Sequence, residues 1–140
     1  MKVLSLFDGI SCGMLALQRA GIPVECYDAF EIDKYAVTVS KRNFPVIVHH
    51  GNVYDGDFTQ FKGYDLLLGG SPCTYWSIAK KDREVDCNGE GFRLFKEYVR
   101  ALEESGCKYF LYENNYSVHQ NIKDEITRVL GVEPIMINSA

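Results

Sequence analysis

The sequence predicts an α/β fold: an open, mostly parallel sheet with helices on both faces. Short apolar runs alternate with segments of helical periodicity along the whole chain. Glycine or proline punctuates several of the changes. The run at 64–68 is mostly apolar, as a strand covered on both faces must be.

Lys2–Leu6 reads as the first strand, followed by a glycine-containing turn over 7–13. Met14, Leu15, Leu17 and Ala20 recur at helical spacing, and Gly21 with Pro23 stops that helix. Residues 24–31 read as a second strand, and 34–44 as a helix ended by Pro45. A short third strand is expected at 45–49 and a fourth at 64–68. Phe92, Phe95, Val99 and Leu102 share one face of a helix over 92–104. Residues 108–113 read as a fifth strand. Ile122, Ile126, Val129 and Leu130 mark another helix, closed by Gly131, and 133–137 read as the opening of a sixth strand. No internal repeat, low-complexity segment or interdomain linker interrupts this order. The longest irregular stretch, about 69–91, has the length of a functional or mobile loop.

The chain has 140 residues, 46% hydrophobic and 24% charged, which is the composition of one globular domain rather than a disordered tail or coiled coil. A chain of this size buries roughly two-thirds of its unfolded surface without a disulfide or metal staple. Its net charge of −4 argues against a wholly basic nucleic-acid binder, but leaves room for a local basic patch. Five cysteines, at 12, 26, 73, 87 and 107, form no Cys-x-x-Cys pair, and the three histidines are scattered. No metal site or disulfide framework is expected, and a reducing cytoplasm is the expected home. The N-terminal apolar run stops at Asp8, too soon for a signal peptide, and no stretch approaches the ~20 apolar residues of a membrane span.

In such sheets ligands bind beyond the carboxyl ends of the strands, where the strand order reverses. Five successive strand ends here are followed by glycine, acidic, amide or thiol groups. Gly9 and Gly13 lie in the first turn, where glycine permits positive φ and close approach of a ligand, though their spacing is not that of a dinucleotide fingerprint. Glu31 follows the second strand and can accept hydrogen bonds from ribose hydroxyls. Asn52 follows the third and can present an acceptor and a donor to an adenine edge. With Phe7 and Ile32 as apolar walls, these describe a nucleoside pocket. Each taken singly is also what an ordinary strand end or turn carries.

Cys73 follows the fourth strand within Gly69-Gly70-Ser71-Pro72-Cys73, where two glycines free the backbone and Pro72 fixes its own φ. A thiol on such a loop is a candidate nucleophile, although a cysteine behind a strand is commonly a small core residue. Glu113 ends the fifth strand. With that strand beside the fourth, a nucleophile meets a carboxylic acid, a pairing suited to addition to an electron-poor ring. Lys80, Lys81 and Arg83, with Tyr75 and Trp76, give the long loop a basic, aromatic character that suits phosphates and bases, diluted by Asp82, Glu84 and Asp86.

The order Phe7-Asp8-Gly9-x-x-x-Gly13, Glu31, Gly51-Asn52-Val53, Ser71-Pro72-Cys73 and Glu113-Asn114 resembles the DNA cytosine-5 methyltransferase family, most closely its Dnmt3-like, phage and bacterial branch. The resemblance covers essentially the whole chain and implies a Rossmann-like S-adenosylmethionine-dependent methyltransferase fold. It implies that Phe7, Asp8, Gly9, Ile10 and Gly13 wrap S-adenosylmethionine, that Glu31 holds its ribose, that Ile32 and Val53 sandwich its adenine, that Asn52 reads the amino edge, and that Leu94 adds a contact. Cys73 would attack C6 of a cytosine flipped out of double-stranded DNA, and Glu113 would bind its N3 and exocyclic amine. Ser71, Pro72, Ser77 and Asn114 would orient the loop and the base, and Lys80 and Arg83 would contact DNA.

Two residues depart from the family pattern. Asn52 stands where many members carry aspartate, and Asn115 follows Glu113-Asn114 where an apolar residue is usual. The family also continues with an arginine-bearing motif, a target recognition domain and a final helix that closes the cofactor pocket, and 135–140 resembles only the opening of that motif. The expectation is therefore that 1–140 are the N-terminal part of one catalytic domain, truncated or paired with a complementary C-terminal polypeptide, in a bacterium or phage-infected cell with a restriction-modification context. Its acidity would reflect a DNA-facing surface lying in that other part. A non-catalytic remnant and a tRNA-modifying relative remain alternatives; a nicotinamide dehydrogenase is disfavoured by the glycine spacing.

Overall fold

The computed structural model describes residues 1–138 and contains five strands and four α-helices. The strands are β1 Lys2–Leu6, β2 Cys26–Phe30, β3 Val48–His49, β4 Leu66–Gly69 and β5 Tyr109–Tyr112. The helices are α1 Cys12–Arg19, α2 Lys34–Asn43, α3 Glu90–Ser105 and α4 Gln120–Leu130. The strands form one parallel sheet in the order β3-β2-β1-β4-β5. Parallel neighbours need crossovers, and the helices supply most of them.

Alternation along β1 divides the core. Leu4 and Leu6 face one side, where they join Phe30, Leu67, Phe58, Phe61 and, from α3, Tyr98 and Ala101. Val3 faces the other, packed with Tyr27, Ala29 and, from α1, Met14 and Leu17. A third cluster joins Phe92 and Phe95 of α3 to Ile122 of α4, Val118 and Trp76. Both faces of the sheet are thus covered, as the apolar strand pattern required. Asp28 is the buried carboxylate of β2. It accepts from the Tyr64 hydroxyl at 2.5 Å and bonds His50 Nε2 at 2.6 Å, so its oxygens are matched by partners from both flanking loops.

The elements begin and end close to expectation, with two corrections. Residues 133–137 form no strand. Ile135 and Ile137 are each 84% exposed, and β5 remains an edge at which Tyr109 and Leu111 are also exposed. An apolar run gains a strand only if a paired edge and a covering layer offset its ordering entropy, and no described element covers this one. β3 is also shorter than expected, two residues rather than five. Pro45 has no N–H to give a ladder. Among the described residues no helix is long and apolar enough to cross a membrane, and no group of three or more His, Cys, Asp or Glu is placed to hold a metal ion.

Candidate active site

Register carries four strand ends into one row. Phe30, Leu6, Gly69 and Tyr112 are lateral neighbours across β2, β1, β4 and β5. The next residues, Glu31, Phe7, Gly70 and Glu113, therefore share one rim, and Asn52 stands just beyond β3. The chain winds to one side of β1 and then to the other, so the crevice where ligands bind in such sheets opens above β1 and β4.

On the β4–β5 side, Cys73 begins a 3₁₀ turn, Cys73–Tyr75. Its carbonyl accepts from the backbone N–H of Trp76 at 3.0 Å and of Ser77 at 2.8 Å, and its thiol is exposed. A cleft of about 420 Å³ is lined by Ser71, Pro72, Cys73, Glu113 and Asn114 together. The two glycines before Cys73 act by size rather than by freeing φ, since neither is in the left-handed region. A Cβ on Gly70 would lie 2.2 Å from the Glu113 carbonyl oxygen, so only glycine lets the two strand ends approach this closely.

Tyr112 was not singled out in the sequence, yet it joins the two halves of the cleft. Its ring packs against Phe95 and Tyr98 with centroids 5.2 and 5.0 Å away. Its hydroxyl lies 2.6 Å from Ser71 Oγ, and Asn114 Nδ2 donates to the Ser71 carbonyl at 3.1 Å and to the Tyr112 hydroxyl at 3.2 Å. Burial raises the Tyr112 hydroxyl above the ordinary phenol range, so it stays neutral. Ser71 and Asn114 thus bind each other's loops. The available signal was that a tyrosine packed against the core needs a partner for its hydroxyl.

On the β1–β2–β3 side, Gly9 has φ +58°. Its N–H donates to Glu31 Oε2 at 2.7 Å, and Asp33 N–H donates to Oε1 at 2.9 Å. Each carboxylate oxygen still has a lone pair for a ligand hydroxyl. Ile32 stands on the same rim, 74% exposed, and Ile10 is half exposed. Asn52 Oδ1 caps the following turn by accepting from Tyr54 N–H at 3.1 Å, which leaves the amide NH₂ and one carbonyl lone pair for a ligand. Val53 is buried in the core beneath this edge, and Phe7 and Leu94 pack against the same cluster. Gly13 serves helix–strand packing: a Cβ there would lie 2.8 Å from Leu68 and from the Tyr27 hydroxyl.

Asp8 turns inward. Its carboxylate accepts from Ser5 Oγ and the Tyr27 hydroxyl, each at 2.6 Å, and from Ser11 Oγ. Ser11 continues to Ser40 Oγ at 2.5 Å and on to His49 Nε2 at 3.2 Å. Burial, then the Asp8 charge, holds the Tyr27 hydroxyl far above the phenol range, and burial lowers His49 below the ordinary imidazole value. Phe7 and Ser11 are non-glycine residues at positive φ, so this network holds a strained turn. Asp8→Ala would remove the acceptor shared by three buried hydroxyls, leaving Ser11 its contact with Ser40 alone. It is expected to cost about 3 kcal/mol, read as a melting temperature lower by roughly 10 °C. An unchanged melting temperature would show that the turn holds itself.

The long loop is anchored. Trp76 is fully buried among Phe92, Phe95 and Ile122, so it cannot stack on a base. Glu84 caps α3, accepting from Glu90 and Gly91 N–H at 3.0 Å each. Arg83 Nη1 donates to the Ser117 carbonyl at 2.8 Å, tying the loop to the β5–α4 turn. Lys80 Nζ lies 5.1 Å from the Tyr75 ring centroid, and Ser77 Oγ accepts from Ala79 N–H at 3.2 Å. The anchoring by Trp76 and Glu84 was missed because neither residue carries a local pattern that reports its distant partner.

Residues 1–130 match the model of the C-5 cytosine-specific DNA methylase family. The chain is 38% identical over 118 residues to the orphan methyltransferase M.SPRI of Bacillus phage SPR, covering 81% of this chain and 26% of that protein. It is 34% identical over 116 residues to the type II methyltransferase M.HgiCII of Herpetosiphon aurantiacus, covering 81% and 25%. The chain thus spans about a quarter of the length of these curated relatives. Its fold is similar to a Dnmt2 variant from Spodoptera frugiperda, with TM-score 0.72 and 23% identity over 93% of this chain and 40% of that one. It is also similar to the S. pombe Dnmt2 methyltransferase, with TM-score 0.64 and 18% identity over 94% and 41%.

Proposed function

Because the chain belongs to the C-5 cytosine-specific DNA methylase family, we propose that it is the cofactor-binding and nucleophile-bearing part of an enzyme that methylates C5 of cytosine in DNA. The observation that carries this reading is the cleft that holds Cys73 and Glu113 together at adjacent strand ends.

The residues beside it suit S-adenosylmethionine. Glu31 offers acceptors to ribose hydroxyls, Asn52 an amide edge to adenine, Ile32 an exposed apolar surface, and Gly9 an open approach with no atom within 4 Å of where a Cβ would stand. When bound, that cofactor supplies an electrophilic methyl group carried on a sulfonium. Phe7, the 9–13 turn and Leu94 would frame it, with Val53 beneath the adenine edge.

The chemistry assigned to this chain's side chains acts on a cytosine flipped into the cleft. Cys73 Sγ forms a bond to C6, and the ring electrons move toward C5 and N3. Glu113 shares a proton with N3 and accepts from the exocyclic amine, which stabilises that charge and makes C5 nucleophilic. After methylation, a water molecule takes the C5 proton, the C5–H electron pair re-forms the C5–C6 double bond, and Cys73 leaves as thiolate, which restores the aromatic ring. Ser71 and Asn114, bonded to each other and to Tyr112, tie together the loops that carry the thiol and the carboxyl.

Calorimetry or thermal melting with S-adenosylmethionine tests the first half of the reading. A ligand at 100 times its Kd stabilises the native state by about 2.7 kcal/mol, and Glu31→Ala should remove that shift. Absence of any shift at millimolar cofactor would refute the pocket. The second half is tested by tritiated cofactor and duplex DNA. We expect label when a polypeptide corresponding to the unmatched part of the relatives is supplied. Efficient labelling by residues 1–140 alone would show that no further part is needed.

A further inference from the structure

We propose that Tyr116 and Lys123 form a nucleotide-stacking subsite at the mouth of the Cys73 cleft, with an unpaired base on the tyrosine ring and its phosphate on the ammonium. The inference rests on the reading of that cleft as a cytosine site.

Tyr116 is the aromatic side chain among the residues that line the cleft with Cys73 and Glu113, and it is 74% exposed. A tyrosine normally buries its ring against protein. This one is held outward by the backbone on both sides. Asn115 Oδ1 accepts from Ser117 N–H and Ser117 Oγ, each at 2.9 Å, and Val118 N–H donates to the Asn115 carbonyl at 3.2 Å. Val118 is buried with Trp76 and Ile122, which fixes the turn from below. Arg83 donates to the Ser117 carbonyl from the cysteine loop. The turn is thus braced by the segment that carries the nucleophile. This gives Asn115 a reason to stand where an apolar residue was expected: its amide builds the turn that presents Tyr116.

Lys123 completes the arrangement. Its ammonium lies 4.9 Å from the Tyr116 ring centroid and donates to the Tyr116 carbonyl at 3.2 Å. A base has a π-face for an aromatic ring and a phosphate for a cation within a few ångströms, and sequence-independent single-strand binders combine these two groups. Trp76 cannot take the stacking role because it is buried.

The test uses a fluorescein-labelled 12-nucleotide single strand with a central cytosine, read by anisotropy at low salt. The cofactor-induced melting shift is recorded on every variant. Tyr116→Ala is expected to weaken binding roughly 5- to 100-fold, and Tyr116→Trp to retain it. Lys123→Gln is expected to weaken binding and flatten its salt dependence by the equivalent of about one phosphate contact. Unchanged affinity in Tyr116→Ala overturns the subsite and leaves the ring to a protein contact. Absence of oligonucleotide binding by the unmodified chain overturns it as well. A cofactor shift that survives either result keeps the proposed function standing, whereas its absence in the unmodified chain is a failure of that reading itself.

Discussion

Cys73→Ser should reduce methyl transfer by about 10⁴-fold or more while leaving cofactor binding intact. The substitution changes one atom at an exposed position that opens a 3₁₀ turn, so the backbone bonds from Trp76 and Ser77 to the Cys73 carbonyl survive. What is lost is the sulfur nucleophile; a hydroxyl needs an adjacent general base to attack comparably. The residues proposed for the cofactor stand mainly after β1, β2 and β3, on the other side of the switch point. The melting shift with S-adenosylmethionine should therefore persist, separating a lost nucleophile from a lost fold. The measurement is tritium incorporated into duplex DNA when a polypeptide corresponding to the unmatched part of the relatives is supplied, together with trapping on DNA containing 5-fluorocytosine. Retained transfer would move the nucleophile elsewhere. Cys12, the other exposed thiol among the described residues, begins α1 and is the first place to look.

The parts of the molecule legible in its sequence are those governed by short-range pattern. The alternation of short apolar runs with helical segments and the apolar run of β4 reported a parallel sheet covered on both faces, and that sheet type implied a functional rim. The parallel neighbourhood of β4 and β5, implied by the alternating pattern, was enough to place Cys73 near Glu113. Asp8 was harder to read. It lies in the turn that resembles a cofactor loop, but three hydroxyls draw it inward, one from a tyrosine 19 residues away on β2. No local pattern shows which way a loop carboxylate turns. The partners of Trp76 and Arg83 were illegible for the same reason: one enters a helix pair formed by residues downstream, the other reaches a carbonyl 34 residues on. The 133–137 run has strand-like residues, yet pairing is decided by a covering layer rather than by propensity.

Gly70→Ala is the other substitution from which a large effect is expected, and it tests geometry instead of chemistry. Gly70 lies outside the positive-φ region, so alanine brings no conformational strain. It brings a methyl group to 2.2 Å from the Glu113 carbonyl oxygen and 3.2 Å from its carboxylate. The strand end that carries this carbonyl is held in place, because Glu113 N–H is bonded to the Gly69 carbonyl at 2.9 Å and Tyr112 pairs with Gly69 in the sheet. Relief must come from moving the end of β5 or the cysteine loop, and overpacking of this kind costs about 1–3 kcal/mol or more. Either movement changes the separation of Cys73 and Glu113, and a displacement of about 1 Å at reacting groups lowers rate on the order of 100-fold. Ser71→Ala provides the contrast. It removes the hydroxyl shared with Tyr112 and Asn114 without pushing the strands apart, so its loss in transfer should be several-fold smaller. If Gly70→Ala melts and transfers like the unmodified protein, close contact between these strand ends is not what sets the thiol against the carboxyl. If it loses transfer while keeping its cofactor shift, the approach that only glycine permits is part of how the β4 and β5 ends make one site.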